Sequence, residues 1–371
     1  MFETFHFVDS INLSSGGLRT AILGITRSLK NKEAKSTIFT LSKKKDSLLD
    51  QYQDNIYFLE KYELYKSFLK IKLKQSLFIE KYLVKAKKPI IHIHGMWLPI
   101  TYFGYLVAKK YNVPYIFSPH GGLMPNALEK GKKKKNIALI LYQKKIIKNA
   151  KTIIASSKPE SKSLQAFFTS NNIVEVPHGI SLPNESALIN KRKKEKKYCL
   201  FLGRINPTKG LEKLIKVWKE LNNKNWELLI AGITEDLSYF NELKKTAGDI
   251  NINFIGEIWG DDKEKIFQKT SLFVLPTKTE NFGIVIAEAM SYGIPVITTK
   301  DAPWDVISKK DLGWWIENNN TALLNALYEA TNMNSNDLLI KGEKAKIFVT
   351  ENLSWNIIKK KYIEIYKKIT T

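Results

Sequence analysis

The chain has 371 residues, of which 44% are hydrophobic, so a disordered polymer is excluded. One core rarely grows beyond ~250–300 residues, which makes two domains the expectation. The formal charge is +23, from 59 Lys plus Arg against 36 Asp plus Glu, yet only four of those basic residues are arginine (Arg19, Arg27, Arg192 and Arg204), and reading bases relies on arginine's planar fork, so no nucleic-acid partner is expected.

The opening Met1-Phe2-Glu3-Thr4-Phe5-His6 has no basic region followed by an apolar one, so no secretory signal is expected. Apolar, β-rich runs follow at Phe5–Val8, Ser36–Leu41, Ile56–Leu59, Pro89–His94, Tyr115–Ser118, Thr152–Ala155 and Ile173–Val176. Between them lie helical spacings at Leu18–Leu29, Tyr62–Val84, Tyr102–Tyr111 and Ile137–Asn149. Short apolar strands alternating with helices predict βαβ units and parallel sheets. The polar stretch from Asn184 ends in the charge run Lys191-Arg192-Lys193-Lys194-Glu195-Lys196-Lys197, which reads as a surface linker. Alternation then restarts, with strands at Tyr198–Leu202, Glu227–Ala231, Asn253–Ile255, Leu272–Leu275, Pro295–Thr298 and Trp314–Glu317. A last helix, about Trp355 to Ile369, follows Ser354 as N-cap. The expected division is 1–185, a linker at 186–197, a second domain at 198–353, and a terminal helix at 354–371 packing back on the first domain. The lone Cys199 permits no intramolecular disulfide; it fits a reducing compartment and reads as strand core. No apolar run approaches the ~18–20 residues needed to cross a bilayer, and a cytoplasmic location is expected.

Ligands in such sheets bind beyond the carboxyl ends of the strands. After Tyr198–Leu202 comes Gly203-Arg204-Ile205-Asn206-Pro207-Thr208-Lys209-Gly210, a turn bracketed by two cations and leading into a helix, where a diphosphate could be held. After Leu272–Leu275 comes Pro276-Thr277-Lys278-Thr279-Glu280-Asn281-Phe282-Gly283, then a helix bearing Glu288. A carboxylate in the loop can accept hydrogen bonds from sugar hydroxyls, and one within the helix suits a vicinal diol. Glu288 lies between Ile286-Ala287 and Ala289-Met290, and an unpaired carboxylate on so apolar a helix would be costly.

Gly203-Arg204…Lys209-Gly210 with Glu280-x7-Glu288 resembles glycosyltransferase family 4, whose members have the GT-B fold: α/β, with two doubly wound Rossmann-like domains facing a central cleft. Ser14-Ser15-Gly16-Gly17, Ser118-Pro119-His120-Gly121-Gly122 and Pro177-His178-Gly179-Ile180 resemble further motifs of that family. Two departures stand out: Asn281 occupies a position usually glycine, and His178 one usually asparagine.

The resemblance implies a retaining transferase using a nucleotide-sugar donor, with no cofactor and no metal. It places Arg204 and Lys209 on the diphosphate, and Glu280 on the donor sugar with the amides of Asn281, Phe282 and Gly283. It puts Glu288 on the ribose and gives Gly16 and Gly17 close backbone approach to the donor. It places His120 at the reacting centre. His92 and His94 alternate on one strand and share a face, but with five histidines in the chain and no acidic residue nearby, a metal is not expected there. His94, at the strand end, is assigned to the acceptor side. The basic run Lys130 to Lys135 with the apolar Ile137 to Tyr142 suggests peripheral contact with an anionic membrane and a glycan or lipid-linked acceptor in surface polysaccharide synthesis. The rival readings are another GT-B enzyme, a nucleotide-sugar 2-epimerase or a phosphorylase-like one, and a basic nucleic-acid-binding protein.

Overall fold

The computed structural model describes residues 1–30, 34–42, 55–59, 74–129, 131–168, 172–184, 197–248 and 251–370. The chain forms two compact units, one of Met1–Gly179 with Trp355–Thr371 and the other of Ile180–Ser354.

The first unit is built on strands β1 (Phe2–Val8), β2 (Ala34–Thr40), β3 (Ile56–Phe58), β4 (Pro89–His94), β5 (Tyr115–Ser118), β6 (Thr152–Ala155) and β7 (Ile173–Glu175). They lie in the order β3-β2-β1-β4-β5-β6-β7, every neighbouring pair parallel. The second unit has β8 (Lys197–Leu202), β9 (Trp226–Ala231), β10 (Ile252–Gly256), β11 (Leu272–Leu275), β12 (Val296–Thr299) and β13 (Gly313–Ile316). Their order is β10-β9-β8-β11-β12-β13, again parallel throughout. Both are doubly wound, and each reverses direction at its first strand in sequence. Because helices cover both faces of these sheets, the central strands are apolar at successive positions instead of alternating. Ile90, Ile91 and Ile93 on β4 and Cys199, Leu200 and Phe201 on β8 are all fully buried. The thiol of Cys199 is pushed well up by that burial and is not a nucleophile in waiting.

The expected strands are all present within two or three residues. The helix expected at Ile137–Asn149 starts earlier and is interrupted, running Lys132–Ala138, a π turn at Leu139–Gln143, then Lys144–Lys148. Of the helix expected at Tyr62–Val84, Lys74–Leu83 is described and 62–73 lie outside the described residues.

The expected domain limits need three corrections. The first unit ends at Gly179, not 185, because the Ile180 amide donates to the Leu353 carbonyl at 2.7 Å and Ile180 bridges to Ser354. Lys197 begins β8 and is not linker; the rest of the expected linker, 186–196, lies outside the described residues. Ser354 belongs to the second unit.

The terminal helix Trp355–Thr370 forms part of the first unit. Its Trp355 indole lies against the helix Gly17–Ser28 where only glycine fits, since a Cβ on Gly24 would come within 2.2 Å of Trp355 Cζ2. Two turns on, Tyr362 and Tyr366 join a cluster with Phe2, Ile90 and Ile116 on one face of the sheet.

Candidate active site

In the second unit, β9, β8 and β11 are adjacent, so the loops leaving their carboxyl ends lie side by side. The loop after β8 runs through a single turn at Pro207–Lys209. Asn206 caps it, its side chain accepting from the Thr208 amide at 3.1 Å. The loop after β11 is zipped to that turn: the Lys278 amide donates to the Thr208 carbonyl at 2.7 Å, and Thr277 Oγ1, which donates to the Thr279 carbonyl at 2.7 Å, lies 3.2 Å from the same Thr208 oxygen. This seam brings Lys209 Nζ to Glu280 Oε2 at 2.6 Å across 71 residues of sequence. Their side chains are 11% and 18% exposed, so the pair is largely shielded, and the attraction is stronger than between surface charges.

Gly283, in the left-handed region at φ 79°, caps the helix Ile284–Ser291 and aims that helix's amino end at the same edge of the sheet. Phe282 is buried, and its carbonyl accepts from Trp304 Nε1 at 2.5 Å. Asn281 is half-buried in the same turn. The first-turn amides carry partial positive charge and suit an anion or a sugar oxygen.

Two expected donor-site residues hold partners that the motifs do not reveal. Arg204 pairs with Glu235 at 2.9 Å instead of sharing a partner with Lys209, and Asn206 Nδ2 donates to the other oxygen of the same carboxylate at 2.7 Å. Glu288 takes Lys263 Nζ at 2.7 and 2.8 Å on its two oxygens. Glu235 lies just past the end of β9, so the strand-end rule could have found it. Lys263 sits in the charged run Asp261-Asp262-Lys263-Glu264-Lys265, where nothing distinguishes it from its neighbours. Arg204 and Glu235 are both more than 40% exposed, and such a pair contributes little to stability. Arg204 is therefore available to exchange Glu235 for a phosphate.

In the first unit, Gly16 and Gly17 follow β1, with Gly16 at φ 53° immediately before the helix Gly17–Ser28. His120 follows β5 and holds φ 51°, an uncommon conformation for a side chain-bearing residue. A buried carboxylate keeps it there. Glu160, 1% exposed, accepts from the Gly121 amide on one oxygen and from the Ser156 amide and hydroxyl on the other at 2.7 and 2.8 Å. Glu160 belongs to no motif in the sequence; it stands in the first turn of the helix Lys158–Phe167, where a glutamate is common for reasons unrelated to any site.

His94, expected on the acceptor side, lies in the interior. It is 3% exposed, and its ring nitrogens are taken by His6 at 2.9 Å and His120 at 3.0 Å. All five histidines of the chain in fact gather in one column. His92 and His94 rings are 4.0 Å apart, His6 and His94 5.2 Å, His94 and His120 5.3 Å, and His120 and His178 5.6 Å. Burial depresses every one, His6 and His178 to about 3 and His120 to about 4, so the column is uncharged near neutral pH.

These two doubly wound units make a GT-B fold. A solved structure of Anabaena Alr3699/HepE in complex with UDP and glucose superposes at a TM-score of 0.79, with 14% identity, over 99% of this chain and 100% of that one. A glycosyltransferase from Rickettsia africae superposes at 0.74, with 20% identity, over 99% and 98%. Residues 15–183 match the family model described as Glycosyltransferase Family 4, and residues 184–348 the model described as Glycosyl transferases group 1. The chain belongs to the family 4/group 1 glycosyltransferases. Among relatives, an uncharacterized glycosyltransferase of Haemophilus influenzae is 32% identical over 177 residues, 45% of this chain and 48% of that protein. An uncharacterized 41.2 kDa protein in the cps region of Klebsiella pneumoniae is 28% identical over 309 residues, 78% of this chain and 82% of that protein. The match thus spans about half the length of the first relative and four fifths of the second.

Proposed function

We propose that this chain is a retaining, metal-independent transferase that moves a sugar from a nucleotide diphosphate donor to a glycan acceptor, lipid-linked, in the synthesis of a bacterial surface polysaccharide. The observation that carries the reading is the shielded Lys209–Glu280 pair at the carboxyl edge of the second sheet. A diphosphate leaving group develops charge as the glycosidic bond breaks, and a fixed ammonium at that point stabilises it without reorganisation. Arg204 can supply a second positive charge by leaving Glu235, which does the work that a divalent cation would otherwise do. Glu280, freed from Lys209 by the incoming phosphate, can turn to sugar hydroxyls. Glu288 holds the Lys263 ammonium across both of its oxygens, and a carboxylate so oriented suits a vicinal diol. The cps-region location of the Klebsiella relative supports a polysaccharide product, and the UDP in the Anabaena structure supports a uridine donor as the first to try.

A thermal-shift series with UDP-, GDP- and ADP-sugars, all in EDTA, tests the donor. A ligand at 100 times its Kd adds ~2.7 kcal/mol to stability, so one nucleotide should raise Tm by degrees, and Lys209→Ala should abolish that rise. If none of them shifted Tm, or if the shift required a divalent ion, the metal-free donor reading would be lost.

Membrane contact rests on a second observation. Ile137, Ile140 and Leu141 are 59%, 70% and 65% exposed and share one helical face. Exposed Lys133, Lys134, Lys144, Lys145 and Lys148 flank them along the same face. Apolar tips within a lysine field are the pattern of a helix lying in an anionic interface. Among the described residues no helix is long and apolar enough to cross a membrane. The wild type should therefore sediment with phosphatidylglycerol-rich liposomes at low salt, and Ile140→Asp with Leu141→Asp should weaken this at least several-fold. Equal sedimentation of both proteins would make the face simply a solvated one.

A further inference from the structure

The column of histidines has a direction. His6, on β1, sits in register with His92 on β4, and His94 in register with Ser118 on β5, so three adjacent strands bring these side chains to one place. The hydrogen bonds form an unbranched line from the interior to the active-site loop. Ser36 Oγ meets Thr4 Oγ1 at 2.9 Å, Thr4 Oγ1 meets His6 Nε2 at 3.0 Å, His6 Nδ1 meets His94 Nε2 at 2.9 Å, and His94 Nδ1 meets His120 Nε2 at 3.0 Å.

A neutral imidazole has one N–H and one lone pair, so fixing the direction of one bond fixes all the others. The hydroxyl end decides it. Ser36 is 5% exposed, and its hydrogen bond among the described residues is the one to Thr4. A buried hydroxyl proton without an acceptor is costly, so Ser36 donates to Thr4. Thr4 must then place its own proton, either on His6 Nε2 at 3.0 Å or on the Lys35 carbonyl at 3.5 Å. The first length is at the edge of the normal range for a hydroxyl donor and the second is well outside it. Thr4 therefore donates to His6, His6 Nδ1–H to His94, and His94 Nδ1–H to His120 Nε2. The remaining proton of His120 must sit on Nδ1.

We propose that Ser36, Thr4, His6 and His94 are positioning residues that lock His120 as its Nδ1–H tautomer, so that the active-site imidazole presents a hydrogen-bond donor, not an acceptor, to a sugar or phosphate oxygen. The role of that donor rests on the transferase reading above; the tautomer does not. Free histidine side chains prefer the opposite, Nε2–H form, so the chain imposes a choice that solution chemistry would not make. Burial keeps His120 neutral down to about 4, so the donor carries no charge that would bind phosphate indiscriminately. Glu160 contributes separately, by holding the Gly121 amide and so the loop that aims the ring.

A metal is the competing occupant. His6, His92 and His94 have ligand atoms within 4.8 Å of one another. All six of their ring nitrogens are nevertheless engaged: those of His6 and His94 as above, His92 Nδ1 with Tyr366 Oη at 2.8 Å and His92 Nε2 with Ser118 Oγ at 2.8 Å. An ion would have to break several of these bonds and would meet no carboxylate in the group.

The test is a long-range proton–nitrogen correlation spectrum of the full chain labelled with nitrogen-15 histidine, at neutral pH and without substrate. Single histidine substitutions assign the rings. His6, His94 and His120 should all show the Nδ1–H pattern. Thr4→Val keeps the shape of the side chain but removes the proton that sets the direction, so all three rings should revert to Nε2–H, while Thr4→Ser should keep the wild-type pattern. In turnover, Thr4→Val should raise the donor KM about tenfold, with rescue in Thr4→Ser. The proposal is overturned by an Nε2–H tautomer on His120 in the wild type, by an unchanged tautomer in folded Thr4→Val, or by a stoichiometric first-row metal in the purified protein. Should Thr4→Val fail to fold, the wild-type spectrum alone decides. An Nδ1–H ring in a protein that transfers no sugar would uphold the chain and sink only the functional reading.

Discussion

Lys209→Ala should lower kcat/KM for sugar transfer by ~10²-fold or more, which corresponds to about 2.7 kcal/mol of lost transition-state stabilisation. The Lys209 residue is only 9% exposed, and its ammonium sits 2.6 Å from Glu280, at the point where two strand-end loops are laced together. The loops owe their seam to backbone and Thr277 contacts at the Thr208 carbonyl, none of which involves the lysine side chain. The variant should therefore fold, with Tm lowered by no more than a few degrees for the stranded carboxylate of Glu280. Measured together, kcat/KM and Tm separate the two effects. A variant with wild-type turnover would remove Lys209 from the chemistry, and one that fails to fold would make the pair a structural brace.

Gly210→Ala should be nearly as damaging, for a steric reason. Gly210 holds φ 72°, and a Cβ there would come within 2.2 Å of the Pro276 carbonyl oxygen, which belongs to the backbone of the facing loop. A left-handed alanine costs about 1–2 kcal/mol by itself. The clash adds to that, because neither backbone can yield without opening the seam that places Lys209 against Glu280. Tm should fall by more than ~5 °C, and donor binding should weaken with it. Gly131, at φ 75° with nothing within 4 Å of its would-be Cβ, is the control: Gly131→Ala meets the same backbone cost without the clash. Equal Tm losses in the two variants would show that conformation alone, not the close approach of the loops, sets the requirement for glycine at 210.

The relation between these motifs and their partners shows how far the sequence reaches. Gly203-Arg204-x4-Lys209-Gly210 and Glu280-x7-Glu288 are legible because their charged residues stand at short, fixed distances from strand ends, and both strands are apolar enough to be located. Glu235 was within reach of the same rule. Lys263 and Glu160 were not, because a partner supplied by another helix has no required spacing to the motif it serves. The burial of His94 was illegible for a similar reason. Position at a strand end says which edge of the sheet a residue occupies, but not whether its ring is already engaged by neighbours.

By itself the sequence determined the parallel, doubly wound class, the thirteen strands and the two motif loops. These follow from local hydrophobic periodicity and from the chemistry of strand-end turns. Only the tertiary structure decided that the first unit closes at Gly179 with the Trp355 helix built into it, that Lys209 meets Glu280, and that every histidine in the chain belongs to one column. The reason is physical. Strand order in a parallel sheet is not chain order, so residues on β1, β4 and the loop after β5 become neighbours only once the sheet is assembled, and no spacing along the chain records it.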